Sequence, residues 1–160
     1  MANALLLVRP PGPVRVDSDV VTEPIDRLEL DGLAEAYRRS YADSALGFPL
    51  ADAQEDITRF FDGGYGPPVP EGSRLVRRSA AVVGAVLTVR EAACPDVPSG
   101  PFVIDLFVVP DERRHGIGKA LMAAALPSVG METVGLRVEP DNVAARRLYE
   151  ALGFQVAPDR

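Results

Sequence analysis

Blocks of apolar residues along the chain predict strands and helices in mixed order. Short runs rich in branched aliphatic side chains predict strands at residues 5–8, 74–78, 80–90, 102–109 and 133–138. Apolar positions at helical spacing predict two helices in the first half, one ending near Tyr41 and one at residues 51–61. Gly84 indicates a bulge or a point of close packing within its strand. The brief run at 5–8 is expected to form an edge strand.

The sharpest change of pattern lies where the strand at 102–109 passes into a helix. The strand composition is that of one buried on both faces, and apolar residues recur at helical spacing from Ile117 onwards. The first N–H groups of a helix lack internal partners and carry the positive end of its dipole, so an anion is expected there. Glycines allow a diphosphate to approach the backbone closely, and cations add charge. The glycines and cations of this turn are Arg113, Arg114, Gly116, Gly118 and Lys119.

Two well-known phosphate-binding loops do not fit this turn. A Walker loop has a glycine five positions before its Gly-Lys pair and Ser or Thr after it, where this chain has Arg113 and Ala120. A dinucleotide-binding fingerprint has a third glycine where Leu121 stands. Because Gly-x-Gly alone is also compatible with an ordinary turn from strand to helix, the assignment depends on a second motif.

That second motif, at residues 136–154, reads as a strand, a turn, a helix and a stop. Pro140 ends the strand, and Asp141 or Asn142 can cap the helix by accepting hydrogen bonds from its free N–H groups. Gly153 suits a left-handed helix end. We expect one apolar helix face to pack on the sheet, formed by Ala145, Leu148, Tyr149 and Leu152.

Together the two motifs resemble the GNAT superfamily of N-acetyltransferases. The acyl-CoA motif of that family is Gln or Arg followed by x-x-Gly-x-Gly/Ala, which Arg113, Gly116 and Gly118 match. The second family signature is matched in order and spacing by Asn142, Ala145, Leu148, Tyr149, Gly153 and Phe154. The resemblance covers about residues 79–160, and the first half of the chain carries no motif that identifies a substrate.

The resemblance implies an α/β (α+β) fold with a mixed, mostly antiparallel central sheet, one splayed pair of parallel strands and about four helices. The 160 residues are expected to form one such domain. The strand ending at Val109 would diverge from the strand at 133–138, and residues 106–109 would offer main-chain groups to the pantetheine arm of acetyl-CoA. The diphosphate would lie on the N–H groups of residues 114–119. The expected contacts to acetyl-CoA are Phe107, Val108, Val109, Arg113, Arg114, His115, Gly116, Ile117, Gly118, Lys119 and Asn142.

Acetyl transfer needs an acid for the departing thiolate and a base for the amine. The resemblance assigns the acid role to Tyr149, although a tyrosine at this spacing is also compatible with a core side chain. Asp105 and Glu91 are the candidate bases. An Asp within an apolar strand is unusual, because burying a carboxylate without partners is costly. An equally supported interpretation is that Asp105 lies at a strand edge and bonds to a neighbouring loop or to an arginine.

Other reactive residues do not suggest a competing chemistry. His115 occupies a variable position in the glycine-bearing turn before Ile117. A contact through its backbone, or a ring exposed to solvent, is favoured there over a role as general base. Cys94 is the one cysteine of the chain and cannot form an internal disulfide. The sequence contains no cluster with the spacing of metal ligands, so no metal is expected.

Net charge and the segments near both ends of the sequence indicate which partners and which location to expect. A net charge of −6 disfavours a nucleic-acid surface. The apolar run at 5–8 is too short for a signal segment or a membrane span, so we expect a cytoplasmic protein without membrane contact. Residues 155–157 are expected to add one short strand, and a second subunit or the N-terminal strand would cover the remaining sheet edge. We expect a homodimer. The loop at 43–49 is expected to form a lip that touches the substrate.

Two classes of function remain open from the sequence. The first is an acetyl-CoA-dependent N-acetyltransferase that acts on a primary amine of a small molecule or a protein. The alternative is a catalytically silent acyl-CoA-binding or regulatory module of the same fold. The motifs do not identify the amine, and they do not distinguish an acetyl donor from longer acyl donors.

Overall fold

A seven-stranded sheet runs through the computed structural model, which describes residues 4–42 and 49–158. Its strands are β1 (Leu5–Arg9), β2 (Glu23–Pro24), β3 (Arg74–Arg78), β4 (Ala81–Val89), β5 (Phe102–Val108), β6 (Val134–Val138) and β7 (Gln155–Val156). The α-helices are α1 (Leu30–Ser40), α2 (Leu50–Phe61), α3 (Ile117–Ala125) and α4 (Val143–Ala151). The strand order is β2-β3-β4-β5-β6-β1-β7, with β5 and β6 as the one parallel pair among the described strands. The predicted mixed, mostly antiparallel fold is confirmed.

The helices follow the predicted ranges closely. α1 ends one residue before Tyr41, and α2 covers the range predicted for the second helix and one residue before it. No helix within the described ranges is both long enough and apolar enough to cross a bilayer. The predicted lip at 43–49 lies outside the described residues apart from Pro49.

β1 lies inside the sheet, so the prediction of an edge strand was wrong. It pairs with β6 along its whole length and with β7 at Leu7 and Val8. A short apolar run shows that a strand forms but not which distant segments pair with it. The edges of the sheet are β2 and β7, and their two-residue length leaves little unpaired backbone for another chain.

β4 forms the centre of the core and carries helices on both faces. On one face, a Cβ at Gly84 would lie 2.9 Å from the Phe107 carbonyl oxygen and 3.1 Å from the Ile117 side chain. On the other face, a Cβ at Gly32 of α1 would lie 3.2 Å from Val82. The predicted close packing at Gly84 is therefore confirmed, and this packing sets α3 directly on the sheet.

β5 is buried at its start and half-buried through Ile104, Asp105 and Leu106, which corrects the prediction of burial on both faces. Its parallel partner β6 pairs with it only at Phe102 and Val103 and then diverges. The pairing of β5 with β4 shifts register at the same level, which leaves Ile104 as an extra, bulged residue. The middle of β5 therefore faces a gap instead of another strand.

Candidate functional site

The divergence of β5 and β6 opens a cavity of about 720 Å³. This volume lies in the range of small-molecule sites. The cavity is lined by β5, by the turn before α3, by β6 and by α4. The predicted site residues that line it are Asp105, Val108, Arg113, Arg114, Gly116, Ile117, Gly118, Lys119, Asn142 and Tyr149.

The main chain of β5 presents two residues to this cavity. The amide of Val109 donates to the carbonyl oxygen of Val83 at 2.8 Å. Because bonded and non-bonded pairs alternate along an antiparallel ladder, Leu106 and Val108 direct their main-chain groups away from β4 and toward the gap. Both residues also line the cavity. Of the four residues predicted to bind an arm through the main chain, these two face it.

Six consecutive main-chain amides, at residues 114–119, donate to no other residue in the described part of the chain. The first helical hydrogen bond of α3 comes from Ala120, whose amide donates to the Gly116 carbonyl oxygen at 3.0 Å, and no side chain caps the helix. Arg114 and Gly116 adopt left-handed backbone angles, with φ of 67° and 77°. Such turns direct successive N–H groups into one concavity. A row of donors without acceptors at the positive end of a helix is suited to bind an anion.

The cations around this turn have different surroundings. Arg113 Nε donates to the Val108 carbonyl oxygen at 3.0 Å, and its Nη2 donates to the Ser40 carbonyl oxygen at 2.8 Å. Arg113 thus ties the turn to β5 and to the end of α1. Arg114 and Lys119 form no ion pair with a described residue, so their charges are available to a ligand.

α4 contributes Tyr149 to the cavity, and its N-cap residue is Asn142. Asn142 Oδ1 accepts from the Ala145 amide at 3.2 Å, which confirms the predicted helix cap. Tyr149 is 6% exposed, and its ring packs edge-on against Phe154 with 5.7 Å between centroids. Its hydroxyl makes no hydrogen bond to any residue in the described ranges. Burial and the negative charge of Asp105 raise the pKa of Tyr149 above its ordinary value, so the hydroxyl remains a proton donor at neutral pH.

Asp105 lies on the cavity wall, on the face of β5 that α1 covers. Its Oδ1 accepts a hydrogen bond from the Tyr41 hydroxyl at 2.8 Å. Burial raises the pKa of Asp105 to about 6, and the charge of Asp56 adds to the rise, while hydrogen bonds from Tyr41 and the Leu106 amide oppose it. The partner of this carboxylate is thus a tyrosine rather than an arginine. A carboxylate with a pKa near neutrality suits the role of a general base.

Two tyrosines, Tyr41 and Tyr37, connect Asp105 to a second carboxylate, Asp56, which Tyr65 also contacts. The hydroxyls of Tyr37 and Tyr65 donate to the two oxygens of Asp56, at 3.2 and 3.1 Å. The Tyr37 ring packs edge-on against Tyr41, with 5.0 Å between centroids. Negative charge is therefore concentrated on the α1 side of the gap. The free amides at the start of α3 lie on the other side.

Four of the residues considered from the sequence do not line the cavity. Phe107 is buried against Tyr37, and Val109 is buried in the core. The His115 ring is exposed, with Nδ1 3.7 Å from a Glu112 oxygen. Glu91 lies in the loop after β4 and is exposed. Asp105 is thus the one of the two candidate bases that reaches the cavity wall.

Tyr41 and Arg137 line the cavity although no motif identified them. Tyr41 bonds to a residue 64 positions away, so nothing in its local sequence indicates the contact. Arg137 stands between buried residues of β6, where a strand pattern shows only that it points outward.

The chain matches a known protein family over most of its length. The model of the Acetyltransferase (GNAT) family matches residues 31–154. This chain belongs to the GNAT acetyltransferase family. The two motifs that carry the resemblance both lie within the matched range, as do α1 and α2 of the first half apart from the first residue of α1.

Named proteins resemble this chain in part of their sequence or in their fold. Mycothiol acetyltransferase of Thermobispora bispora is 40% identical over 90 residues, which are 53% of this chain and 30% of that protein. PH1933 of Pyrococcus horikoshii OT3 has a TM-score of 0.72 at 19% identity, over 89% of this chain and 92% of its own. The aminoglycoside N-acetyltransferase AAC(6')-Iy, solved in complex with CoA, has a TM-score of 0.62 at 19% identity, over 92% and 95% of the two chains. This chain therefore spans less than a third of the mycothiol enzyme but nearly all of the two structural neighbours.

Proposed function

We propose that this protein is an acetyl-CoA-dependent N-acetyltransferase that moves an acetyl group from the CoA thioester to a primary amine. One observation carries the proposal: the six free amides of residues 114–119 lie at a cavity that continues to Tyr149 and Asp105. A small anion would accept hydrogen bonds from the six amides but would not occupy the rest of the cavity. A cavity of about 720 Å³ that runs on from them suits an elongated ligand with a phosphorylated end.

Acetyl-CoA supplies a chemical partner for each part of this cavity. Its diphosphate would accept from the amides of 114–119, with Arg114 and Lys119 neutralising its charge. The amide groups of the pantetheine arm would bond to the main chain of Leu106 and Val108, in the manner of an added strand. The side-chain NH₂ of Asn142 is a further donor for the arm. The thioester would then lie between Tyr149 and Asp105.

Besides positioning, the reaction needs three proton transfers: two from the acceptor nitrogen and one to the departing sulfur. The protonated acceptor amine loses a proton to Asp105, directly or through water, and the neutral nitrogen attacks the thioester carbonyl carbon. The cationic nitrogen of the adduct then loses a second proton to water. The C–N bond forms and the C–S bond breaks, so CoA leaves as a thiolate. Tyr149 gives its phenolic proton to that sulfur and is reprotonated from solvent. Since a thioester is already activated, holding the two reactants together is expected to supply most of the acceleration.

The acceptor is proposed to be a primary amine of a small molecule or a protein. The names of the mycothiol and aminoglycoside relatives point to small-molecule acceptors for those proteins. Here, Asp105 and Asp56 concentrate negative charge on the side of the gap away from α3. A protonated amine is attracted to that side before it is deprotonated.

Product formation with a panel of amines tests the proposal. The purified protein is mixed with acetyl-CoA and each amine, and acetylated product and free CoA are quantified by chromatography, because Cys94 would react with thiol reagents. Formation of acetylated product and free CoA in equal amounts supports the proposed N-acetyltransferase activity, and both products should be lost in Asp105→Asn. Binding of acetyl-CoA without turnover on any amine would favour the silent module, and no binding at all would reject the proposal.

The wider proposal is a cytoplasmic homodimer that contacts neither nucleic acid nor membrane. The net charge of −6 supports the first exclusion. At the β7 end of the sheet the N-terminal strand β1 lies between β6 and β7, which is the alternative to a second subunit that the sequence left open. Light scattering at high micromolar concentration tests the dimer, and the mass of one 17.1 kDa chain would contradict it.

A further inference from the structure

A second cavity, of about 220 Å³, adjoins the first. Ile104 and Arg137 line both cavities, so the two meet at the bulge where β5 and β6 diverge. The rest of the second lining includes Tyr65, the loop residues Cys94 and Val97, and Phe102. A molecule in this cavity would lie directly beside the gap.

The second cavity lies on the side of the sheet where the carboxylates collect. Tyr65, which lines it, donates to Asp56 through its hydroxyl. The turn at residues 114–119, where the diphosphate is proposed to bind, contributes no residue to the lining of the second cavity. Because the proposed diphosphate site lies at the start of α3, this cavity is placed to hold the molecule that would receive the acetyl group.

Arg137 gives the second cavity a positive charge at its junction with the first. Its guanidinium Nη2 lies 3.7 Å from Cys94 Sγ and forms no ion pair with the residues that the structure describes. The surrounding side chains of Val97, Phe102 and Ile104 are apolar. A guanidinium beside apolar side chains matches a carboxylate carried on a short hydrocarbon segment.

We propose that the second cavity is the acceptor subsite and that Arg137 binds a carboxylate there, so that preferred acceptors are amino acids or similar molecules. The amine of such an acceptor faces Asp105, its carboxylate faces Arg137, and its hydrocarbon segment contacts the apolar wall. The inference rests on the proposed function and names the substrate class of that same site.

Matched pairs of acceptors test the carboxylate. Glycine, β-alanine and γ-aminobutyrate are each compared with the corresponding amide, which keeps the amine and the chain length and removes the negative charge. We expect kcat/KM for at least one amino acid to exceed that of its amide by about tenfold, the effect of one charge-assisted hydrogen bond. Equal values for every pair would overturn the proposal.

The variant Arg137→Gln should abolish this preference while the affinity for acetyl-CoA stays within about twofold. Arg90→Gln is the control, because Arg90 pairs with Glu132 at 3.0 Å and lines neither cavity, so the preference should persist there. If Arg137→Gln unfolds, Arg137→Lys serves instead, with a reduced preference expected from the loss of the planar donor pair. A preference that survives in Arg137→Gln, or a loss of acetyl-CoA binding in its place, would overturn the proposal.

Protection of Cys94 provides a readout that needs no turnover. Since the chain contains a single cysteine, N-ethylmaleimide modification reports on this cavity alone. γ-Aminobutyrate should slow the modification several-fold in the parent protein and not in Arg137→Gln, whereas its amide should have no effect. Identical rates with acid and amide would contradict the subsite. Acetyl-CoA binding measured by calorimetry separates the two hypotheses: its absence rejects the proposed function, whereas binding without carboxylate protection rejects only this inference.

Discussion

Replacing Gly116 by alanine separates backbone strain from ligand binding. Gly116 has φ of 77°, and a Cβ built there meets no atom within 4 Å, so the new methyl group enters open space at the cavity. Gly63 is the matched control, since it has φ of 82° and its nearest neighbour, the Gly66 carbonyl oxygen, lies 3.9 Å from a built Cβ. Gly63 does not line the cavity.

The two variants should lose similar stability and very different affinity. A left-handed backbone costs an alanine about 1–2 kcal/mol, which lowers Tm by about 2–8 °C in a domain of this size. At Gly116 alone, the methyl group and any relaxation of φ disturb an amide that faces the diphosphate. Loss of one hydrogen bond to a charged group costs about 1.5–3 kcal/mol, so Kd for acetyl-CoA should rise at least about tenfold.

Thermal unfolding and isothermal titration calorimetry on both variants measure these quantities. Equal Tm shifts with weakened binding in Gly116→Ala alone are expected. If Gly116→Ala binds acetyl-CoA as tightly as Gly63→Ala and the parent protein, the turn does not hold the diphosphate.

Three further changes test the catalytic residues and the core. Tyr149→Phe should lower kcat by about 100-fold with Kd for acetyl-CoA unchanged, and an unchanged kcat would remove its role as acid. In the parent protein, kcat/KM should rise as the pH increases through about 6, where Asp105 loses its proton, and Asp105→Asn should lack this rise. The folded state holds that proton more tightly than the unfolded state, so the free energy of unfolding of the parent relative to Asp105→Asn should fall as the pH rises from 3.8 to about 6, which urea titrations of both proteins measure. Thr88→Val should raise the free energy of unfolding in urea by about 1 kcal/mol, because the buried Thr88 hydroxyl has no partner among the described residues, and a loss of stability would refute this.

The parts of the fold that depend on local sequence could be predicted. Pro110 and Gly116 mark the passage from β5 to α3, and Asn142 marks the start of α4, so these boundaries follow from turn and cap chemistry. The anion-binding character of the turn follows from the same local geometry, because the free amides belong to consecutive residues.

The parts that depend on distant contacts could not be predicted. An apolar run gives no pairing partner, so the interior place of β1 was missed. The composition of β5 indicates burial, and only the divergence of β6 exposes Asp105 to a cavity. Likewise, the bond from Tyr41 to Asp105 joins elements that the sequence does not place side by side.

The central claim is that the amides of residues 114–119 bind the diphosphate of CoA. Calorimetric titration with acetyl-CoA and with S-acetylpantetheine tests it most directly, because the second compound keeps the thioester and the arm but lacks the diphosphate and the nucleotide. We expect acetyl-CoA to bind at least about 100-fold more tightly, as the loss of two or more hydrogen bonds to charged oxygens requires. Equal affinities, or no heat from acetyl-CoA with the folded protein, would contradict the claim.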